Sequence, residues 1–136
     1  SELYTAGIPD NIMKTLILDI KFNEKYFERV IHHEVFHIIN LSYKELFNEN
    51  EWIDFNKKNF QYAKCSTCTQ KFDLNTYINT DGFLTEYSKT TPSEDMAEVF
   101  SHIMFDINIP NNDPILQRKK EFIIKNILKI DNFFKF

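Results

Sequence analysis

Residues 24–41 form the longest patterned stretch of the chain, with apolar side chains on nearly every side of a helix. These side chains are Tyr26, Phe27, Val30, Ile31, Val35, Phe36, Ile38 and Ile39. A helix that is apolar all round is typical of a protein interior. Asn23 precedes the stretch as a candidate N-cap. The pattern therefore predicts a buried helix whose few polar side chains also lie inside the protein.

Three more helices are predicted from start signals and periodicity. Thr91-Pro92 puts a proline at the first helical position of residues 92–105, and Asp113-Pro114 repeats the signal before residues 115–130. Ser42 with Glu45 matches a capping box and predicts a short helix over residues 42–47. The core side of the helix at 92–105 would consist of Met96, Val99, Phe100, Ile103 and Met104.

Strands are predicted mainly near the start of the chain. The segment MKTLILDI, residues 13–20, is short, rich in Leu and Ile, and follows a Pro9-Asp10 turn signal, which favours a strand. Residues 3–6 are a second candidate, and parts of 53–84 are further ones. Strands followed by helices indicate an α+β fold, with a small sheet packed on the helix at 24–41. At 136 residues, we expect a single domain over 1–136, which can be a fragment of a longer chain.

Composition excludes some classes of function. Hydrophobic residues make up 43% of the chain and its net charge is −4, without a basic stripe, which argues against a nucleic-acid partner. No apolar run reaches the length of a membrane span. Neither oligomeric state nor cellular location follows from these totals.

Several polar and aromatic groups have alternative interpretations. Cys65 and Cys68 cannot form a disulfide framework, and without a second C-x-x-C they supply only half of a structural zinc site. Free thiols are the favoured state, with a local disulfide and a structural zinc as the alternatives. Trp52 and Phe83 are interpreted as packing residues. The segment LQRKKEF, residues 116–122, is interpreted as the solvated face of the last helix.

The candidate chemistry begins in VIHHEVFHIIN, residues 30–40. His33 and His37 lie four positions apart on one helical face, with Glu34 beside them, which is the arrangement of an H-E-x-x-H zinc site with a built-in base. The alternative is a buried helix that carries polar residues by chance. Ionisable side chains on a buried helix are costly without partners, which favours the metal. His32 faces a different side and is interpreted as a structural or supporting histidine.

A catalytic zinc needs a third protein ligand. Glu94, Glu98 and His102 are spaced by four and share one stripe of the helix at 92–105. Spacing alone leaves the choice among them open, and a solvated face is the alternative for each. The apolar residues of that helix favour burial.

The two segments together resemble a known group, the gluzincin metallopeptidases, in which a Glu on a downstream helix completes H-E-x-x-H. The likeness is closer to the catalytic domain of anthrax lethal factor and to zinc-binding metallopeptidases of bacterial lipoproteins. In those, a Tyr stands seven residues before the ligand Glu, and a second Glu follows it by four. Here GFLTEYSKTTPSEDMAE supplies Tyr87, Glu94 and Glu98 at those spacings.

The resemblance implies a zincin-like, zinc-dependent metallopeptidase acting on a peptide or protein substrate. The implied Zn²⁺ ligands are His33, His37 and Glu94. By analogy the protein would be secreted or anchored at a surface. A non-catalytic zincin-fold module that binds a partner is the alternative function.

The resemblance also implies how the remaining groups act. Glu34 would accept a proton from the attacking water and pass it to the leaving amine. Tyr87 would donate its hydroxyl to the oxyanion that forms on the scissile carbonyl. Glu98 would support a ligand histidine through its other ring nitrogen.

Overall fold

The computed structural model describes residues 7–10, 15–18, 24–68, 73–105 and 107–130. Its regular elements are β1 (Gly7–Asp10), β2 (Thr15–Leu18), α1 (Glu24–Ser42), α2 (Glu49–Ile53), a 3-10 helix (Tyr87–Lys89), α3 (Pro92–Met104) and α4 (Pro114–Ile130).

The prediction of an α+β fold is wrong, because the described part of the chain is essentially helical. β1 and β2 pair only with each other, antiparallel, with Gly7 opposite Leu18. A two-stranded hairpin is not a sheet layer against which helices pack. β2 overlaps the predicted strand at 13–20, whereas the candidate strand at 3–6 lies outside the described residues. Among its described residues, the stretch 53–84 contains turns and no strand.

The three long helices form where the sequence predicts them. α3 begins at Thr91, whose hydroxyl accepts a hydrogen bond from the backbone N–H of Glu94, with Pro92 in the first turn. α4 begins in the same way at Asp113, whose carboxylate accepts from the N–H groups of Ile115 and Leu116. Each cap satisfies backbone donors that a helix leaves unpaired at its start.

The short helix lies further along the chain than predicted. Residues 44–46 form a turn, and α2 starts only at Glu49. The cap is Asn48, whose side chain accepts from the N–H groups of Asn50 and Glu51. The structure therefore replaces the predicted capping box at Ser42 with an Asn cap six residues later.

The hydrophobic core lies among α1, α3 and α4, with α3 in contact with both of the others, with α2 and with the 3-10 helix. Two aromatic side chains, Phe36 of α1 and Phe100 of α3, join the helices with ring centroids 5.4 Å apart. Trp52 and Phe83 are buried, as their interpretation as packing residues predicts. Because α3 is central, the polar side chains on its α1 side are held between two packed helices.

The segment between α2 and α3 is mostly irregular, and specific contacts hold it in place. Gly82 has φ +84°, a conformation that L side chains rarely adopt, and a Cβ there would lie 3.1 Å from Ile115 Cγ2. Its N–H donates to Asp113, and its carbonyl accepts from Lys119. Lys119 is fully buried, so the interpretation of residues 116–122 as a solvated face is wrong at this position.

Cys65 and Cys68 are joined in a disulfide, so the expectation of free thiols is wrong. Both sulfurs are thereby committed, which removes the interpretation of the pair as half of a structural zinc site. The bond joins cysteines that are three positions apart and therefore constrains little of the unfolded chain. Separately, none of the described helices has the length and apolar character needed to cross a bilayer.

Candidate metal centre

α1 and α3 bring three electron-pair donors together at their interface. His33 Nε2 lies 2.8 Å from Glu94 Oε2, and His37 Nε2 lies 3.0 Å from the same oxygen. The two imidazole nitrogens are 3.1 Å apart. The i, i+4 spacing on α1 presents both rings on one side, and the first turn of α3 presents the carboxylate to them. Among the described residues, these three form the group that can hold a metal ion.

The arrangement fits a zinc ion. Tetrahedral zinc, with ligand bonds of about 2.0–2.2 Å, holds its ligand atoms about 3.3–3.6 Å apart. The observed separations of 2.8–3.1 Å are a few tenths of an ångström shorter. Small rotations of the side chains would therefore admit the ion. Two imidazoles and one carboxylate also match the donor set of a catalytic zinc, which keeps a further position open.

His33 lies between two carboxylates, one near each ring nitrogen. Its Nδ1 lies 2.8 Å from Glu98 Oε1. The hydrogen bond and charge of His33 outweigh burial and lower the pKa of Glu98, so the carboxylate is ionised and Nδ1 carries the proton. In a neutral ring, Nε2 would then point a lone pair at the Glu94 carboxylate. That contact is repulsive unless a proton or a metal ion lies between the two atoms.

Burial and the two neighbouring carboxylates have opposite effects on the pKa of His33. Burial alone would lower the pKa, but hydrogen bonds with Glu94 and Glu98, together with their charges, raise it to about 10. Burial likewise favours the neutral form of Glu94, yet the hydrogen bonds from His33 and His37 lower its pKa far below the ordinary value. The centre therefore carries excess negative charge that a bound cation would neutralise.

Glu98 lies behind His33 and is held on both of its oxygens. Oε2 accepts a 2.9 Å hydrogen bond from the Thr85 hydroxyl, while Oε1 accepts from His33. Only 2% of Glu98 is exposed. Sequence reasoning did not identify Thr85, although it lies within the GFLTEY block on which the resemblance rests. This arrangement fixes the ring orientation of His33 and its Nδ1–H tautomer.

His37 has a weaker support of its own. Its Nδ1 lies 3.3 Å from the hydroxyl of Ser93, which Asn40 also approaches at 3.4 Å. Ser93 immediately precedes Glu94, so α3 supplies both a candidate ligand and a partner for a candidate ligand. Spacing in the sequence gave no signal for Ser93, because a serine in the first turn of a helix is commonly a capping residue.

Glu34 lies beside the cluster and has an unpaired oxygen. Only 6% of the residue is exposed, and Oε2 has no hydrogen-bond partner among the described residues. Burial raises the pKa of Glu34, and the neighbouring His33 and His37 partly counteract this shift. A buried carboxylate oxygen without a partner is uncommon. Its position is explained if a water molecule or a substrate group binds there.

Tyr87 lies at the start of the 3-10 helix, with its ring near that of His33. The two ring centroids lie 5.9 Å apart. Burial, followed by the charge of Glu94, raises the pKa of Tyr87. The phenol therefore stays protonated at neutral pH and remains a hydrogen-bond donor next to the candidate ligands.

The other two histidines lie outside the cluster. His32 is half-buried, and burial lowers its pKa. His102 Nδ1 lies 2.7 Å from the backbone carbonyl of Glu98, and its Nε2 lies 2.9 Å from the Thr76 hydroxyl. Arg29 donates to the same hydroxyl at 3.4 Å. His102 and Arg29 thus form a layer behind Glu98, on the side away from the candidate ligands.

Comparison with known proteins agrees with this geometry. A family model described as "Putative zinc-binding metallo-peptidase" matches residues 8–128, most of the 136-residue chain. No curated protein and no solved structure gives a match. The matched span contains α1, the 3-10 helix and α3, which carry every group of the centre. The chain therefore belongs to this family of zinc-binding metallopeptidases.

Proposed function

We propose that the chain is a gluzincin-type peptidase that hydrolyses peptide bonds with one zinc ion held by His33, His37 and Glu94. The observation that carries the proposal is the convergence of these donor atoms to within 3.1 Å of one another, beside an unpaired oxygen of Glu34. Zinc at this point would supply a Lewis acid that polarises the scissile carbonyl and lowers the pKa of water.

Two protein groups would move or hold protons during hydrolysis. Glu34 would take a proton from the attacking water and deliver it to the leaving amine, and its unpaired oxygen supports this assignment. Tyr87 would donate its hydroxyl to the oxyanion formed from the carbonyl, and its raised pKa keeps that proton available. Glu98 would hold His33 in the tautomer that leaves Nε2 free for the metal.

Glu34→Gln tests the proposal, because it removes the base and leaves the three proposed ligands in place. Zinc-loaded wild type and variant would be incubated with a peptide library, and cleavage products would be identified by mass spectrometry. We expect the variant to retain one zinc per chain and its melting temperature, and to lose about 10²–10⁴-fold in cleavage rate. Glu28→Gln, at an exposed position of the same helix, is the matched control.

The outcomes separate the enzyme from a binding module. Equal cleavage by wild type and Glu34→Gln would show that Glu34 is not the base. A wild type that binds zinc but cleaves no peptide would favour the alternative, a zincin-fold module that binds a partner. A chain that binds no zinc would contradict the peptidase.

A further inference from the structure

A buried charged cluster lies behind the metal centre, outside the groups assigned to zinc or to hydrolysis. Its cation is Lys119 of α4, which is fully buried. Lys119 Nζ donates to Asp95 Oδ2 and to the backbone carbonyl of Gly82, each at 2.7 Å. It also lies 4.0 Å from the ring centroid of Phe83. A lysine buried this deeply is rare and is paired where it occurs.

Stability alone is a poor explanation for this pair. Asp95 Oδ2 also accepts hydrogen bonds from Trp52 Nε1 at 2.9 Å and from the Tyr62 hydroxyl at 2.6 Å, while Oδ1 has no partner in the described part of the chain. Moving two charges into the interior costs about as much as their attraction returns, and apolar replacements are often neutral or stabilising. The presence of this buried ion pair is better explained if it holds two segments of the chain in a fixed relative position.

The two partners of Lys119 lie on the two segments that lead into the metal centre. Asp95 directly follows Glu94 in the first turn of α3. Gly82 is held on both sides of its Cα, because its N–H donates to Asp113 at 2.7 Å and its carbonyl accepts from Lys119. The segment from Gly82 reaches Tyr87 in five residues, so a fixed Gly82 limits where Tyr87 can lie.

We propose that Lys119 is a positioning residue, whose ammonium group fixes segment 82–87 against the first turn of α3 and so holds the Tyr87 hydroxyl beside Glu94. The inference rests on the proposed function, in which Tyr87 acts on the substrate. Its effect would be on placement: a displacement of about 1 Å in a catalytic group can cost about 10²-fold in rate. Lys119 itself donates to Gly82 and Asp95 and not to the candidate ligands.

The test compares Asp95→Asn with Asp95→Asn/Lys119→Met. Lys119→Met alone would leave the Asp95 charge buried and uncompensated, which is strongly destabilising and can prevent folding. In both chosen variants, Asn at 95 still accepts from Trp52 and Tyr62. Only the single variant retains the Lys119 amine, which can stay uncharged there because burial lowers its pKa, so the difference between the two reports the loss of its bonds to Gly82 and to residue 95.

The first readout needs neither metal nor activity. Hydrogen–deuterium exchange of the zinc-free proteins should be about tenfold faster over residues 82–90 in the double variant than in Asp95→Asn, with equal exchange over α1. The second is steady-state kinetics of the zinc-loaded proteins. We expect kcat to be at least about tenfold lower in the double variant, with KM little changed, because only placement in the transition state is lost.

A double-mutant cycle then asks whether Lys119 acts through Tyr87. In a Tyr87→Phe background, adding Lys119→Met to Asp95→Asn should lower kcat no further, because the hydroxyl that it positions is already absent. An equal loss in that background would overturn the inference, as would unchanged exchange over 82–90 or unchanged kcat. Full activity of Tyr87→Phe alone would overturn it together with the role of Tyr87.

The failure of the proposed function would be recognised separately. If zinc-loaded wild type cleaves no peptide, that proposal is wrong, and the exchange comparison alone decides whether Lys119 holds the segment. A merely structural Lys119 would instead lower the melting temperature and speed exchange throughout the chain, α1 included, which contradicts the positioning role.

Discussion

Glu98 Oε1 lies 2.8 Å from His33 Nδ1, across 65 positions of sequence and the interface between α1 and α3. The contact lowers the pKa of Glu98 against the opposing effect of burial, and it keeps a proton on His33 Nδ1, the nitrogen that faces away from Glu94. A ligand histidine held in this way is a stronger and better oriented donor for zinc.

Zinc affinity should therefore depend on the acidic residues of α3 in a definite order. Glu94→Ala removes a proposed ligand and should weaken binding most, whereas Glu98→Ala removes its support and should cost about 10–100-fold. His102→Ala, one layer further back, should be milder. Competitive zinc titration measures all three, with exposed Glu121→Ala as control. The reverse order would move the ligand along the helix.

Zinc binding should release a proton at neutral pH. The raised pKa of His33, about 10, means that the metal-free ring is protonated at pH 7, and zinc must displace that proton from Nε2. Apparent affinity should rise about tenfold per pH unit between about pH 7 and 8. Isothermal titration calorimetry in buffers of different ionisation enthalpy counts the protons. A heat that is the same in every buffer would contradict the protonated state.

Tyr87→Phe should lower kcat and kcat/KM together, by about 10²–10³-fold, because the lost hydroxyl acts mainly in the transition state. KM, zinc content and melting temperature should change little. Tyr43→Phe removes a hydroxyl from an exposed tyrosine and is the matched control. Near-normal activity of Tyr87→Phe would show that the ring only packs against its neighbours.

Asp113 should stabilise the fold at neutral pH and lose its effect in acid. Burial alone would raise its pKa, but hydrogen bonds from the N–H groups of Gly82, Leu116 and Ile115 lower it below 3.8. Because the folded pKa lies below the unfolded one, the stabilisation is present above about pH 4 and is lost as pH falls through the folded value.

Asp113→Asn removes this charge but keeps a capping side chain, and should cost about 0.3–1 kcal/mol of unfolding free energy at pH 7. The difference from wild type should shrink by pH 3. Urea unfolding of the zinc-free proteins at both pH values measures it. A difference that does not change with pH would mean that the charge of the carboxylate is not what stabilises the turn at Gly82.

Local rules were sufficient for part of this architecture. His33 and His37 share a helical face because of their spacing, and the bounds of α1, α3 and α4 follow from periodicity and caps. Spacing alone did not separate Glu94 from Glu98. Each projects from the same stripe, and only the packing of α3 on α1 brings Glu94 to Nε2 and Glu98 to Nδ1 of one ring.

The errors come from contacts between distant parts of the chain. Lys119 lies in a run of charged residues, and only the fold reveals that it meets Asp95 and Gly82 in the interior. Thr85 supports Glu98 from an irregular segment, where no hydrophobic periodicity predicts which side chains are buried. The α+β prediction failed because the described residues of the stretch 53–84 form turns held by side-chain contacts rather than a strand ladder.

The candidate ligands also have a topological consequence. His37 and Glu94 are 57 positions apart, and an ion shared by them would crosslink the chain around α2, the disulfide turn and the 3-10 helix. By the chain-entropy estimate for crosslinks, closing a loop of this length removes about 4 kcal/mol of freedom from the unfolded chain. Loss of the ion would reopen the loop that contains the least regular part of the molecule. Zinc would then be a reversible crosslink of that loop as well as a Lewis acid.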